Sequence, residues 1–205
     1  EKGKKGDYRG ALQDFNKAIE LNPKDSRAYD NRGIAKNELG DHKGAIQDYN
    51  KAIELNPNFA VAYNNRGNAK DELGEYKGAI QDFNKAIELR PNYPLAYINR
   101  GHRKHALGEY KGAMKDFNKV IELKPNYALA YYNRGVTKSS LADNRGALQD
   151  YNKSISLNPN YALAYYKRGN AKIKLGQKDS GCLDLSKAGE MEAFQAYDLI
   201  KKHCQ

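Results

Sequence analysis

The chain has 205 residues, 40% of them hydrophobic, with 16 Tyr, no Trp and a formal net charge of +10. Mean hydropathy is −0.92, and no apolar stretch approaches the roughly 18 residues that a membrane-spanning helix needs. Two cysteines are too few for a disulfide framework and lack metal-site spacing, and the basic surplus favours an acidic partner only if it gathers in one place.

Residues 1–25 match only the closing part of a unit that recurs along the chain. Gly6-Asp7 fits a turn, and Ala11, Phe15 and Ala18 fit one face of the helix after it. Most of the helix expected before them is missing, which reads as a fragment or processed form of something longer. The face carrying Leu12, Phe15 and Ile19 is then uncovered, and exposed apolar surface of that kind predicts weak self-association.

Prolines stand at 23, 57, 91, 125 and 159, each 34 residues from the last. The text between them nearly repeats, as in AYDNRGIAKNELGDHKGAIQDYNKAIELNP and AYNNRGNAKDELGEYKGAIQDFNKAIELRP. A period of 34 with helical patterning marks stacked helix-turn-helix units. Full units run over 26–59, 60–93, 94–127 and 128–161, followed by a degenerate one at 162–191 and a closing helix at 192–205. In the first full unit, helix A is expected from Ser26 to Leu39, ended by a left-handed Gly40. Asp41 caps helix B, which runs to Leu55 and stops at Asn56-Pro57. Gly33 and Ala45 suit close approach of the two backbones. Tyr29, Tyr49, Ala52, Ile53 and Leu55 supply an apolar stripe that no unit buries alone, so neighbours must stack.

Ala142 stands where the turn glycine is expected; a left-handed alanine costs about 1–2 kcal/mol, and a distorted turn is predicted there. After Gly169 the pattern degrades, with Gly181 in place of the small alanine and Leu185 in place of the aromatic. Residues 193–204 read as an amphipathic cap that turns Phe194, Tyr197 and Ile200 to the last unit. Cys182 opens the last helix B and Cys204 closes the cap, overshooting the matching point by about one helical turn. Two reduced, partly buried thiols are therefore expected, with a disulfide as the alternative.

The recurring Tyr29, Gly33, Leu39, Gly40, Ala45, Tyr49, Ala52 and Pro57, with their equivalents one period on, resemble the tetratricopeptide repeat family over nearly the whole chain. The resemblance implies an all-α, right-handed superhelical solenoid with a C-terminal capping helix. It also implies a protein-protein interaction scaffold rather than an enzyme, with ligands held in a concave groove lined by helices A. No nucleophile-base constellation, phosphate-cradling loop or zinc spacing appears, and no cofactor or metal is expected. His102 and His105, three apart on one helix, make a poor metal site and read as polar surface.

Just before the recurring glycine, where the family usually has an apolar residue, stand Arg32, Arg66, Arg100, Arg134 and Arg168, with Lys36, Lys70, Lys104, Lys138 and Lys172 one turn on. The facing position of helix B is always acidic: Asp48, Asp82, Asp116, Asp150 and Asp184. This coupled recurrence predicts a ladder of structural ion pairs with lysines beside it; the alternative is a basic stripe for a phosphate backbone.

Carrying the family's groove over position by position gives the candidate peptide-binding residues. Asn31, Asn65, Asn99 and Asn133 recur at one inward position, with Asn68 and Asn170 nearby. An asparagine offers both donor and acceptor, so the row can hold a peptide backbone, as in the asparagine ladders of some repeat proteins; the alternative is that these amides stay hydrated or cap neighbouring backbone groups. Leu129, Tyr132, Leu163 and Tyr166 supply apolar anchors, and Lys167 and Lys174 attract acidic groups. The family's basic clamp for a C-terminal carboxylate is incomplete, since Asn64 stands where a lysine is wanted. The groove reads as acidic at its first rows and basic at its last, whereas a nucleic-acid binder wants a continuous basic track. The sequence thus predicts a protein or peptide partner, with a self-assembly module as the alternative and nucleic acid disfavoured.

Overall fold

A computed structural model describes residues 7–204; Gly6, expected in the first turn, lies outside the described residues, as do the rest of 1–6 and Gln205. The chain divides into two compact units, residues 1–100 and 101–205. Among the described residues there are twelve helices and no strand. The first unit holds α1 (Tyr8–Leu21), α2 (Ser26–Glu38), α3 (His42–Leu55), α4 (Ala60–Glu72), α5 (Tyr76–Leu89) and the opening of α6 (Pro94–Ala106). The second holds the rest of α6, then α7 (Tyr110–Leu123), α8 (Ala128–Ser140), α9 (Asn144–Leu157), α10 (Ala162–Lys174), α11 (Lys178–Glu190) and α12 (Gln195–His203). The even-numbered helices α2 to α10 are the helices A. In the first unit α2 packs on α3 and α4 on α5; in the second α8 packs on α9 and α10 on α11. Helices A also meet their own kind, α2 with α4 and α8 with α10.

The core follows from spacing. Ala45, Tyr49 and Ala52 lie on one face of α3 and are buried, as are Ala79, Phe83 and Ala86 on α5 and Ala147 and Tyr151 on α9. The aromatic ring needs room on the facing helix. A Cβ added at Gly33 would sit 2.6 Å from the Tyr49 ring, so glycine there lets the ring lie against bare backbone. Helix starts are capped where an aspartate is available: Asp41 accepts from Gly44 N–H and Asp143 from Gly146 N–H, each satisfying one of the otherwise unpaired first-turn donors.

The turn at Ala142 keeps its geometry. Ala142 takes φ 62°, and its N–H donates to Ser139 O at 3.1 Å while Asp143 N–H donates to Lys138 O at 2.9 Å. Gly40 and Asp41 make the equivalent bonds at 3.0 and 2.9 Å with φ 86°. These two bonds satisfy the last carbonyls of the helix, so the alanine accepts a left-handed backbone and the expected distortion is absent.

Two expectations about the C-terminal end are corrected. Phe194 and Tyr197 are 68% and 54% exposed, stacked on each other with centroids 6.4 Å apart. The face that covers the last hairpin is instead Ala193, Ala196, Leu199 and Ile200, packed on Leu185 and Ala188. Small alanines allow α12 a close approach that aromatic rings would prevent. Cys182 and Cys204 form a disulfide, with Cα atoms 5.7 Å apart. The predicted overshoot assumed a cap starting at Ala193. Because α12 starts at Gln195, Cys182 stands about 12 Å below the end of α11 and Cys204 about 13 Å beyond the start of α12, at 1.5 Å per residue, so the two sulfurs come level.

That bond closes a loop with a sequence separation of 22, so Cys204→Ser should remove about 3 kcal/mol of stability, mostly from α11 and α12. Urea unfolding checks this: the wild type in reductant should match the variant, and a midpoint indifferent to reductant would contradict it.

Candidate binding faces of helices A

The orientation of each helix A is set by an arginine. In the first unit, Arg32 donates through Nε and Nη2 to Asp48 at 2.9 and 2.6 Å, and through Nη1 to Asn16 at 2.9 Å. Arg66 repeats this with Asp82 at 2.9 and 2.6 Å and with Asn50 at 2.7 Å. Lys36 and Lys70 stand 2.7 and 2.8 Å from the same carboxylates. Arg100 donates to Asn84 at 2.7 Å and lies over the Tyr97 ring. The second unit has the same arrangement: Arg134 with Asp150 and Asn118, Arg168 with Asp184 and Asn152. There Lys138 and Lys172 each lie 2.8 Å from the carboxylate, and Lys104 lies 3.1 Å from the buried Asp116. The guanidiniums also rest on tyrosines of their own helices, at 5.2 to 5.5 Å for Arg32, Arg66, Arg134 and Arg168. Hydrogen bonding to Asp48 raises the Arg32 pKa further, outweighing burial.

In the first unit the asparagine row is partly engaged within the protein. Asn65 Nδ2 donates to Asp30 Oδ1 at 3.1 Å, and Asn99 Nδ2 to Asn64 Oδ1 at 3.0 Å. These bonds join one helix A to the preceding one, and each uses one of the two hydrogens an amide carries. Asn31 is exposed and Asn68 half-buried. Asp30 is buried, and burial, only partly offset by the Asn65 hydrogen bond, raises its pKa to about 6.

In the second unit the candidate residues gather around two cavities. One, of about 250 Å³, is lined by His102, His105, Phe117, Tyr132, Asn133, Val136 and Lys167. The other, of about 210 Å³, shares Val136 and Lys167 and adds Ser139, Ser140, Tyr151, Asn170 and Lys174. Tyr132 is wedged against Tyr161 and Tyr151, with centroids 4.9 and 6.1 Å away. Burial, then repulsion from Lys174, lowers the Lys167 pKa, and its Nζ lies 5.2 Å from the centroid of the Tyr166 ring. Burial, then His102 and Lys167, lowers the His105 pKa. The structure thus brings Tyr132, Asn133, Lys167, Asn170 and Lys174 together; Leu129, Leu163 and Tyr166 do not line either cavity. His102 and His105, read from sequence as surface, line the first. No group of three or more metal-capable side chains occurs among the described residues, and no helix there is long and apolar enough to cross a membrane.

Models of the tetratricopeptide repeat match residues 60–93, and a TPR repeat model matches 4–40, 35–71, 101–139 and 143–176. No curated protein matches the chain. Among solved structures it is similar to MamA, at 29% identity over 80% of this chain and 96% of that one, with a TM-score of 0.72. A tetratricopeptide repeat protein from Parabacteroides merdae ATCC 43184 is 26% identical over 98% and 79%, with a TM-score of 0.69. YrrB, described as a TPR protein with an unusual peptide-binding site, shares the fold at 24% identity over 93% and 99%, with a TM-score of 0.74.

Asp30 yields a pH prediction. Its folded pKa, about 6, lies above the ordinary 3.8, so the fold favours the protonated form. That contribution is complete below about pH 4 and is lost as pH rises through 6. Asp30→Asn keeps an acceptor for Asn65, as Asn64 does for Asn99, without the charge. Urea unfolding should find the variant about 1–3 kcal/mol more stable than wild type near neutral pH, with the gain vanishing near pH 4. An equal gain at both pH values would contradict the assignment.

Proposed function

The chain belongs to the tetratricopeptide repeat family of helical protein-interaction scaffolds, and from that premise we propose that the helix A face of its second unit binds an extended peptide segment. The observation that carries this reading is the pair of contiguous cavities along α8 and α10, which share Val136 and Lys167. Their lining mixes aromatic walls with amide, hydroxyl and ammonium groups, and no carboxylate stands among the described lining residues. A segment lying across them would set side chains against Tyr132 and Val136 while Asn170, Ser139 and Lys174 meet its polar groups. The asparagines of the first unit extend this reading: Asn65 and Asn99 each keep a second N–H and a carbonyl with which to meet a peptide backbone.

The test is selection of binding peptides from an array or display library, followed by calorimetry on folded variants. Tyr132→Ala and Lys174→Ala should each weaken a selected peptide by about tenfold or more. Lys119→Ala, on α7, should leave its affinity unchanged. Peptides that bind all three variants as they bind the wild type would overturn the reading.

A further inference from the structure

The polar groups around the larger cavity of the second unit do not satisfy one another. Asn133 is only 7% exposed, yet its Nδ2 has no hydrogen-bond partner among the described residues. Leaving a buried donor unmatched is costly in a finished core. Nδ2 is itself shut off from solvent, so a ligand in the cavity reaches it once the amide turns about its Cβ–Cγ bond. Lys167, also in the lining, forms no ion pair among the described residues and lies against Tyr166 instead. A short relay sets the state of His105. Thr137 Oγ1 donates its single hydrogen to the main-chain carbonyl of Asn133 at 2.9 Å, so it can only accept from His105 Nδ1, 3.1 Å away. Neutral His105 therefore keeps its proton on Nδ1, and Nε2 is the nitrogen left to titrate.

We propose that this cavity is the subsite for an acidic side chain of a bound segment, its carboxylate accepting from Lys167 Nζ and the Asn133 amide while His105 takes up a proton. The proposal rests on reading α8 and α10 as a peptide-binding face. The lining offers Lys167, the Asn133 amide and, once Nε2 is protonated, His105 as donors, with no acid among them, so a carboxylate supplies the charge and the acceptors the cavity lacks. A glutamate also sets its methylenes against Tyr132 and Phe117, which suits walls that are largely apolar. The titratable groups around His105 are His102 on its own helix, Tyr110 of α7, Tyr132 of α8 and Lys167 of α10. Lys104, next to it in sequence, is paired with Asp116 of α7. Burial first, then His102 and Lys167, disfavours the charged form of His105; a bound anion opposes all three, so binding and protonation are coupled and affinity rises as pH falls.

The test needs no library. The ¹⁵N-labelled chain is titrated with N-acetylglutamate N-methylamide, with the glutamine analogue as the uncharged control and N-acetylglycine as a main-chain carboxylate. The glutamate probe should shift the Asn133 side-chain amide and the His105 ring saturably, the glutamine analogue should not, and N-acetylglycine should bind more weakly. Binding should be about threefold or more tighter near pH 5.5 than near pH 7.5. Asn133→Leu and Lys167→Met should each weaken the glutamate probe by about tenfold. Asn133→Leu should melt no lower than wild type, because it removes an unmatched buried amide. Equal shifts from both amide probes, tighter binding of N-acetylglycine, pH-independent affinity, or full binding by Asn133→Leu would each overturn the proposal. All of these leave the outcome of the peptide selection untouched, so the two failures are distinguishable.

Discussion

A buried carboxylate on each helix B from α3 to α11, gripped from two sides, is the constraint on which the rest of the structure depends. Asp48, Asp82, Asp150 and Asp184 are each 3–6% exposed, and an ionised carboxylate so placed is tolerated only with close, well-aligned partners. Arginine suits this because its planar fork meets both carboxylate oxygens and still has a nitrogen to spare. That third nitrogen reaches an asparagine on the preceding helix B: Asn50 for Arg66, Asn152 for Arg168. One side chain therefore fixes helix A against helix B within a hairpin and the hairpin against its predecessor. Alanine and aromatic contacts supply the burial, but they are non-directional. The ion-pair geometry adds the register.

With orientation fixed from that side, the opposite face of each helix A is released for other work. In the first unit part of it still serves the fold, through the amide bonds Asn65 to Asp30 and Asn99 to Asn64. In the second unit the same stretch of helix carries Tyr132, Asn133, Tyr166 and Lys167, and cavities open there in place of closed interhelical pairs. Local departures from a well-satisfied interior tend to mark functional positions, and the Asn133 amide and the Lys167 ammonium are such departures.

Much of the fold was legible because it repeats. The 34-residue period, the left-handed turn glycines and the aspartate caps each have a local cause, and α2 and α3 fall within a residue of the expected limits. The coupled recurrence of arginine, lysine and aspartate pointed to residues that meet in space. The third arm, Asn50 and its equivalents, was equally periodic, always two residues after the aspartate, but its partner lies on the following hairpin. What escaped was decided by single contacts. Ala142 follows its hydrogen bonds rather than its propensity. The cap presents alanines instead of aromatics because a close approach, stapled by Cys182–Cys204, outweighs the larger apolar area of Phe194 and Tyr197. The joining of His105 to Thr137, 32 residues on, follows no helical face, and only the packed structure reveals it.

The most direct measurement of the central claim is the urea midpoint of Arg66→Lys beside Arg66→Ala. Lysine keeps the charge but meets the carboxylate at one point and does not span Asp82 and Asn50 together. If the fork geometry sets the register, both variants should lose about 2–4 kcal/mol, with lysine recovering only a minor part. An Arg66→Lys chain as stable as the wild type would show that charge alone suffices and would contradict the account.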